Sequence, residues 1–132
     1  MSQRILFICQ LNMVRSPIAE GLAKAKGLDA ESCGLDPGEA DELVTAVMKE
    51  IGIDLSQHEP TALTDYQDQR FDRIVCFSED SRAAAEAVFG DDLPTELWSV
   101  PNPASGNFDV RAIMDTYRSI RTVIANRIDR LA

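Results

Sequence analysis

The stretch ILFICQLNMVRSPIAEGL, residues 5–22, decides the fold because it combines the patterns of a strand, a loop and a helix in succession. Its first part, Arg4–Cys9, is rich in β-branched and aromatic side chains and lacks strict alternation. Such a run predicts a strand buried on both faces, as in a parallel sheet. Apolar residues then recur at helical spacing over residues 17–26, so we expect a helix with Ser16 as its N-cap and Pro17 at its first position.

The rest of the chain repeats this alternation of strand and helix patterns. Further strands are predicted at residues 28–33, 71–77 and 97–100, the last carrying Trp98, and further helices at residues 40–51, 81–89 and 109–131. Strands that alternate with helices indicate a parallel sheet with crossover helices. We therefore predict one α/β domain over residues 1–132, with a four-stranded, parallel, doubly wound sheet and helices on both faces.

The composition makes several classes of protein improbable. The chain has 132 residues, of which 45% are hydrophobic, so it can bury a core without disulfides or metals. Its net charge of −9 would repel nucleic acid and anionic membranes, and we expect neither as a partner. The three cysteines form no CxxC pair, and the lone His58 has no partner at metal-ligand spacing, so no disulfide framework or zinc site is expected. With no recognisable export signal or membrane span, the expected location is the cytoplasm.

The loop between the first strand and helix carries residues that suit phosphate chemistry. Ligands of open parallel sheets bind at the carboxyl ends of the strands, where backbone N–H groups and a helix N-terminus can hold an anion. Cys9 would lie at the base of this loop as a thiolate nucleophile, with the Ser16 hydroxyl donating to its sulfur. Asn12 suits a left-handed position in the loop. The alternative is that Cys9 is an inert, apolar core residue, which is the commoner role of a free cysteine. The expected phosphate-binding residues are Gln10, Leu11, Asn12, Met13, Val14 and Arg15.

Five segments of the chain resemble, in order, the sequence of one protein family. The stretch quoted above is similar to the signature of low-molecular-weight protein tyrosine phosphatases and of the related thioredoxin-coupled arsenate reductases. SCGLDPGEA resembles the family's Ser-Ala-Gly segment, EIGIDLSQHEPTAL resembles its Gly-Ile-Asp…His stretch, and FDRIVCF resembles the strand that follows. LWSVPNPA resembles the loop that normally carries an Asp-Pro pair.

The resemblance implies a two-step reaction without metal or cofactor. Cys9 would attack the phosphoryl group to form a phosphocysteine, while Arg15 and the loop amides stabilise the equatorial oxygens. The resemblance also implies that Ser32 bonds to the loop and orients Asn12. His58 is expected to be structural, bonding a carbonyl group near this loop. The substrate would be a phosphate ester or another oxyanion, with a phosphotyrosine protein as one candidate.

One departure from the family concerns the general acid. Asn102 in VPNP occupies the position of the family's proton-donating aspartate, and an amide cannot deliver a proton. General acid–base catalysis is typically worth ~10²–10⁴ in rate, so we expect weak turnover of esters with poor leaving groups. The candidate replacements for this general acid are the carboxylates of Asp109, Glu79 and Asp80.

Two alternative functions remain open at this point. An arsenate reductase with an internal disulfide relay needs two more cysteines after the central strand, whereas this chain offers Cys76 within that strand and Cys33 before it. A reductase here would therefore use an external thiol. A catalytically weak, phosphate-binding pseudo-phosphatase is the other alternative. The sequence does not predict an oligomeric state.

Overall fold

Within residues 3–90, 93–100 and 109–131, which the computed structural model describes, four strands alternate with four α-helices. The strands are β1 (Arg4–Cys9), β2 (Asp29–Gly34), β3 (Arg73–Cys76) and β4 (Thr95–Leu97), and the helices are α1 (Arg15–Ala25), α2 (Glu42–Lys49), α3 (Glu79–Phe89) and α4 (Val110–Asp129). A 3₁₀ turn, Leu63–Tyr66, lies between α2 and β3.

The four strands form one parallel sheet in the order β2-β1-β3-β4. The chain starts in the middle of the sheet at β1, extends to one edge with β2, and then crosses to the other side with β3 and β4. Cys9 is paired with Gly34 at the carboxyl end of β1, and the loop that follows leads directly into α1. This reversal of strand order is the place where open α/β sheets bind their ligands.

Helices cover both faces of the sheet, as expected from the sequence. On one face Ile5, Phe7 and Cys9 pack against residues of α1, α2 and α4, and on the other Leu6 and Ile8 pack with residues that include Ala85 of α3. These side chains alternate between the faces because successive residues of a strand point in opposite directions. Burial of a large apolar side chain contributes about 1.5–3 kcal/mol, so β1 anchors both halves of the core.

The structure corrects two local predictions. Helix α1 begins at Arg15 rather than at Pro17, and its N-cap residue, Val14, makes no side-chain capping bond. Ser16 is therefore inside the helix, and its hydroxyl is available for another partner. Strand β4 ends at Leu97, so Trp98 follows the strand instead of belonging to it. Its backbone N–H still bonds to the carbonyl oxygen of Cys76, which keeps the indole in the core.

The described residues contain neither a membrane-spanning helix nor a metal-binding group of side chains. No helix among them is long and apolar enough to cross a membrane. Nor do the described ranges contain a group of three or more histidine, cysteine, aspartate or glutamate side chains placed to hold a metal ion.

Candidate active site

The loop from Cys9 to Arg15 is held from its outer side by the segment that follows β2. The carbonyl oxygens of Cys9, Gln10 and Leu11 accept backbone N–H groups from residues 35–38 at 2.9–3.2 Å. Each carbonyl group that is fixed in this way points towards the segment after β2. In residues 3–90, 93–100 and 109–131, no acceptor takes a hydrogen bond from the backbone N–H groups of residues 10–14. These donors and the N-terminus of α1 form a cradle of the kind that can bind an oxyanion.

Asn12 lies at the centre of the network that shapes this cradle. It has a φ of 55°, the left-handed conformation expected from the sequence. Its Nδ2 donates to Oγ of Ser16 at 2.8 Å and to Oγ of Ser32 at 2.9 Å, and its Oδ1 accepts the backbone N–H of Thr61 at 2.8 Å. Nε2 of His58 lies 2.9 Å from its carbonyl oxygen. All of these groups hold Asn12 in place, so the hydrogen bonds of its side-chain amide stabilise the left-handed backbone conformation.

The contact with Asn12 also fixes the tautomer of His58. A carbonyl oxygen only accepts hydrogen bonds, so Nε2 of His58 carries a proton and donates it. The expected structural role for His58, and the expected bond between Ser32 and Asn12, both agree with this geometry.

The side chains of Cys9 and Ser16 are in direct contact at the base of the cradle. Sγ of Cys9 lies 2.8 Å from Oγ of Ser16, and both residues are buried. Because Asn12 donates to the Ser16 hydroxyl, the single hydroxyl proton is left for the sulfur or for the more distant carbonyl oxygen of Cys33, at 3.4 Å. The shorter contact favours donation to the sulfur.

Arg15 is nearly buried beside the loop, with 6% of its surface exposed. Its Nη1 donates to the carbonyl oxygen of Phe77 at 2.9 Å, and the guanidinium carbon lies 5.9 Å from the centre of that ring. Burial lowers the pKa of Arg15, and the electrostatic interaction with Cys9 opposes that shift. Since an arginine keeps its proton in proteins, Arg15 places a fixed positive charge next to the cradle.

Two glycines, Gly34 at the end of β2 and Gly38 after it, make the close approach to the loop possible. A Cβ on Gly34 would lie 2.8 Å from the backbone nitrogen of Asn12, and a Cβ on Gly38 would lie 2.5 Å from Sδ of Met13. Both distances are shorter than real Cβ contacts allow, so a side chain at Gly34 would displace the loop backbone. The sequence analysis did not single out Gly34, although its position after the serine and cysteine of SCG was a usable signal.

A second missed residue is Glu20, which extends the network from the loop to the surface. Oγ of Ser32 donates to Oε1 of Glu20 at 2.5 Å, and Nζ of Lys24 donates to its Oε2 at 2.7 Å. The bond to Glu20 raises the pKa of Lys24. Thr61 was missed as well, because it acts through its backbone and a sequence pattern carries no signal for that contact.

The remaining predicted residues are the general-acid position and its candidate replacements. Asn102 lies outside the described residues. Glu79 and Asp80 are exposed in the first turn of α3, close in sequence to Phe77, the acceptor of Arg15. Asp109 is the N-cap of α4, and its carboxylate accepts the backbone N–H of Arg111.

The other two cysteines are on the opposite side of the sheet from Cys9. Cys33 and Cys76 flank Ile8 on the neighbouring strands and belong to the core that faces α3, whereas Cys9 belongs to the core of the other face. Burial raises the pKa of the Cys76 thiol to about 12 and also raises that of Cys33. Both are therefore inert thiols at neutral pH.

A cysteine and an arginine around an amide-lined loop, at the carboxyl edge of a parallel sheet, define the class of cysteine-dependent enzymes that act on phosphate esters and similar oxyanions. The family model for low molecular weight phosphotyrosine protein phosphatases matches residues 4–132, so the chain belongs to that family and is a phosphatase-like hydrolase. The resemblance in the sequence is thereby confirmed.

Individual relatives include both phosphatases and arsenate reductases. A glutaredoxin arsenate reductase from Synechocystis is 24% identical over 98% of this chain and 95% of its own. The solved structure of an arsenate reductase from Archaeoglobus fulgidus is 30% identical, with a TM-score of 0.77 over 97% of this chain and 98% of the other. The arginine phosphatase YwlE from Geobacillus stearothermophilus is 25% identical, with a TM-score of 0.80 over 98% of this chain and 90% of the other.

Proposed function

We propose that this chain is a phosphatase that hydrolyses phosphate monoesters through a phosphocysteine on Cys9. The observation that carries the proposal is the contact of the Cys9 sulfur with a hydroxyl donor, at the base of a loop whose backbone N–H groups of residues 10–14 have no acceptor within the described ranges. A core cysteine without a catalytic role needs neither the donor nor the cradle. The substrate class is an aryl phosphate, with phosphotyrosine as the protein form.

In the first step, the Cys9 thiolate attacks phosphorus in line with the ester oxygen. The S–P bond forms, the P–O bond to the leaving group breaks, and the electron pair leaves with the oxygen. The loop N–H groups and Arg15 hold the three equatorial oxygens, where negative charge is largest in the transition state. These groups are in place before the substrate arrives, so little reorganisation is needed.

In the second step, water attacks the phosphocysteine and releases inorganic phosphate and the thiolate. The hydroxyl of Ser16 donates again to the sulfur as its charge returns. Asn102 takes no proton in either step, so the leaving group departs as an anion that solvent protonates, and the attacking water loses its proton to solvent. Activated aryl phosphates are therefore the preferred substrates in this proposal.

A kinetic panel tests the proposal. Aryl phosphates with leaving groups of graded basicity, p-nitrophenyl phosphate among them, should show kcat/KM that falls steeply as the leaving group becomes more basic. Cys9→Ser should remove turnover of every member while circular dichroism and melting temperature stay near those of the parent. Phosphate binding without turnover of any ester would instead identify a phosphate-binding pseudo-phosphatase.

A second candidate is the reduction of arsenate with an external thiol, favoured by the arsenate reductases among the relatives. Cys9 would displace water from arsenate to form an S–As bond. The thiolate of a small thiol such as glutathione would then attack the Cys9 sulfur, and the S–As bond would break with its electron pair going to arsenic. Arsenic then gains two electrons and leaves as arsenite, and the two sulfurs share a mixed disulfide. Cys33 and Cys76 lie on the other face of the sheet, so neither completes an internal relay. Arsenate-dependent consumption of glutathione with a glutaredoxin system would support this candidate.

A further inference from the structure

Exposed carboxylates lie in and near the two segments that bond to the Cys9 loop and to Arg15. We call this set the acidic rim, and it consists of Asp36, Glu39, Glu42, Glu79 and Asp80, all of which are exposed. Asp36 and Glu39 lie in or directly after the segment that bonds to the loop, where the N–H of Asp36 donates to the carbonyl oxygen of Gln10 at 2.9 Å. Glu42 is the first residue of α2, a few residues further on. The other two open α3, two and three residues beyond the carbonyl group that holds Arg15.

The basic residues of the chain do not neutralise this region. Residues 27–69 include half of the 22 acidic residues of the chain but only one of its 13 lysines and arginines, Lys49. Lys49 is the last residue of α2, so the helix separates it from the rim at the other end. Beside the second part of the rim, Arg82 lies one helical turn beyond Glu79, but its guanidinium bonds to Thr95 and pairs with Glu86.

The acidic rim and the cradle act on a phosphate dianion with opposite signs. The cradle attracts the dianion at contact distance through N–H groups and Arg15. The rim repels it over the longer range, because exposed charges interact over about one Debye length, ~10 Å at 0.1 M salt. For a substrate with cationic flanking residues, the long-range interaction with the rim becomes attractive. The short-range attraction between the phosphate and the cradle is unchanged.

We propose that the acidic rim selects phosphate esters carried on basic segments of protein, with an aryl group against the apolar side chains of the loop. Leu11, which is 41% exposed, and the half-buried Met13 provide that apolar surface between the cradle and the segment after β2. The inference rests on the proposed phosphatase activity and specifies its substrate class. The cradle binds the phosphoryl group, and the rim favours substrate segments whose flanking residues are positively charged.

Two phosphotyrosine peptides of equal length test this selectivity, one flanked by lysines and the other by glutamates. At low ionic strength kcat/KM should be about tenfold or more higher for the lysine peptide, because several exposed charge pairs contribute together. The ratio should fall towards one at 0.5 M salt. Turnover of p-nitrophenyl phosphate, a small anion, should rise with added salt as the repulsion is screened. A ratio near one at low salt overturns the inference.

Two charge-reversal variants test whether the rim carboxylates cause this peptide selectivity. Glu39→Lys in the rim should lower the peptide ratio several-fold. Asp68→Lys makes the same change of charge near Gln69 and Arg70, which bond to Arg4 at the amino end of β1, and it should leave the ratio unaltered. If both variants lower the ratio equally, net charge and not the rim is responsible, and the inference is wrong. Loss of all turnover, p-nitrophenyl phosphate included, would contradict the proposed function, whereas normal turnover without charge preference would contradict the rim alone.

Discussion

Asn12 and Ser16 are joined by a hydrogen bond of 2.8 Å from the side-chain amide to the hydroxyl, which connects the backbone shape of the loop to the chemistry of its sulfur. The same hydroxyl lies 2.8 Å from Sγ of Cys9. Asn12 therefore has two roles that separate variants can distinguish. It holds the left-handed turn that presents the backbone N–H groups, and it orients the proton of Ser16 towards the sulfur.

Replacement of Asn12 should lower activity by disordering the loop. Asn12→Gly tolerates the φ of 55° but loses the bonds to Ser16, Ser32 and Thr61, whereas Asn12→Ala adds backbone strain of about 1–2 kcal/mol. Both variants should reduce kcat/KM for p-nitrophenyl phosphate by ~10², since small displacements of catalytic groups have effects of that size. Only Asn12→Ala should show the additional loss of stability in urea unfolding. Full activity in Asn12→Gly would mean that the side chain does not position the loop.

Ser16→Ala tests whether the hydroxyl stabilises the thiolate. Without this donor, alkylation of Cys9 by iodoacetamide at pH 7 should slow by about tenfold, because the thiolate is the reactive form. Mass spectrometry assigns the modified cysteine, and the buried Cys33 and Cys76 provide unreactive internal references. Ser16→Thr, which keeps a hydroxyl, should restore part of the reactivity. An unchanged alkylation rate in Ser16→Ala would place the hydroxyl proton on the Cys33 carbonyl group instead.

Gly34→Ala should damage the site, whereas Gly52→Ala should damage only stability. The new methyl group at position 34 meets the backbone of Leu11 and Asn12 at 2.8–2.9 Å, so the loop must move. At Gly52 a methyl group meets nothing within 4 Å, and the cost is the strain of a φ of 78°, about 1–2 kcal/mol. Kinetics and urea unfolding of both variants separate the two effects. Equal kcat/KM in the two variants would show that the loop accommodates the methyl group.

Tyr117 should make stability depend on pH in the alkaline range. Its hydroxyl donates to Oδ2 of Asp41 at 2.6 Å, while Oδ1 of the same carboxylate caps α2. Burial and this bond raise the pKa of Tyr117 in the folded state. The stabilisation is therefore fully present below the unfolded pKa of about 10 and is lost as the pH rises above it.

The matching variant is Tyr117→Phe, which should lower the free energy of unfolding at pH 7 by about 1 kcal/mol. It should also reduce the slope of stability against pH between about pH 10 and 11, measured by urea unfolding. Tyr66, bonded to Glu31, keeps its own contribution in this variant, so some slope remains. Identical slopes for parent and variant would contradict the assignment to Tyr117.

Asn102→Asp tests the position identified from the sequence. A carboxylic acid there should protonate a poor leaving group, so turnover of phosphotyrosine should increase more than that of p-nitrophenyl phosphate, within the ~10²–10⁴ typical of acid catalysis. Asn102→Ala is the matched control, because it changes the side chain without adding an acid. If Asn102→Asp turns over both substrates at the same rates as the parent protein, another group serves as the acid or this loop lies away from the substrate.

The sequence predicted the fold well because its signals were local. Arg4–Cys9 was identified with the bounds that the structure has, since a continuous apolar run bounded by a charged residue and a polar loop leaves little choice. The start of α1 was wrong because Ser16 looks like a capping residue, and a contact with Cys9 across the loop outweighed local preference. Tertiary contacts of this kind are not encoded by spacing.

The site was predicted only in part for the same reason. Cys9, Asn12 and Ser16 were identified as candidates because they lie close together in the sequence, and the structure brings their side chains into one network. Glu20 was missed because its partner, Ser32, is distant in sequence, and Gly34 was missed because its importance is the absence of a side chain at a close approach.

The separation of Cys9 from the other thiols by the sheet determines what happens to the protein under peroxide. Oxidation of Cys9 gives a sulfenic acid, which in many enzymes is rescued when a neighbouring cysteine closes a disulfide over it. Here the loop has no second cysteine, since position 14 beside Arg15 is a valine, and Cys33 and Cys76 face the opposite core, so no internal thiol reaches the oxidised sulfur. Recovery then depends on a reductant from outside, and where none is present a second oxidation to the sulfinic acid inactivates the protein permanently.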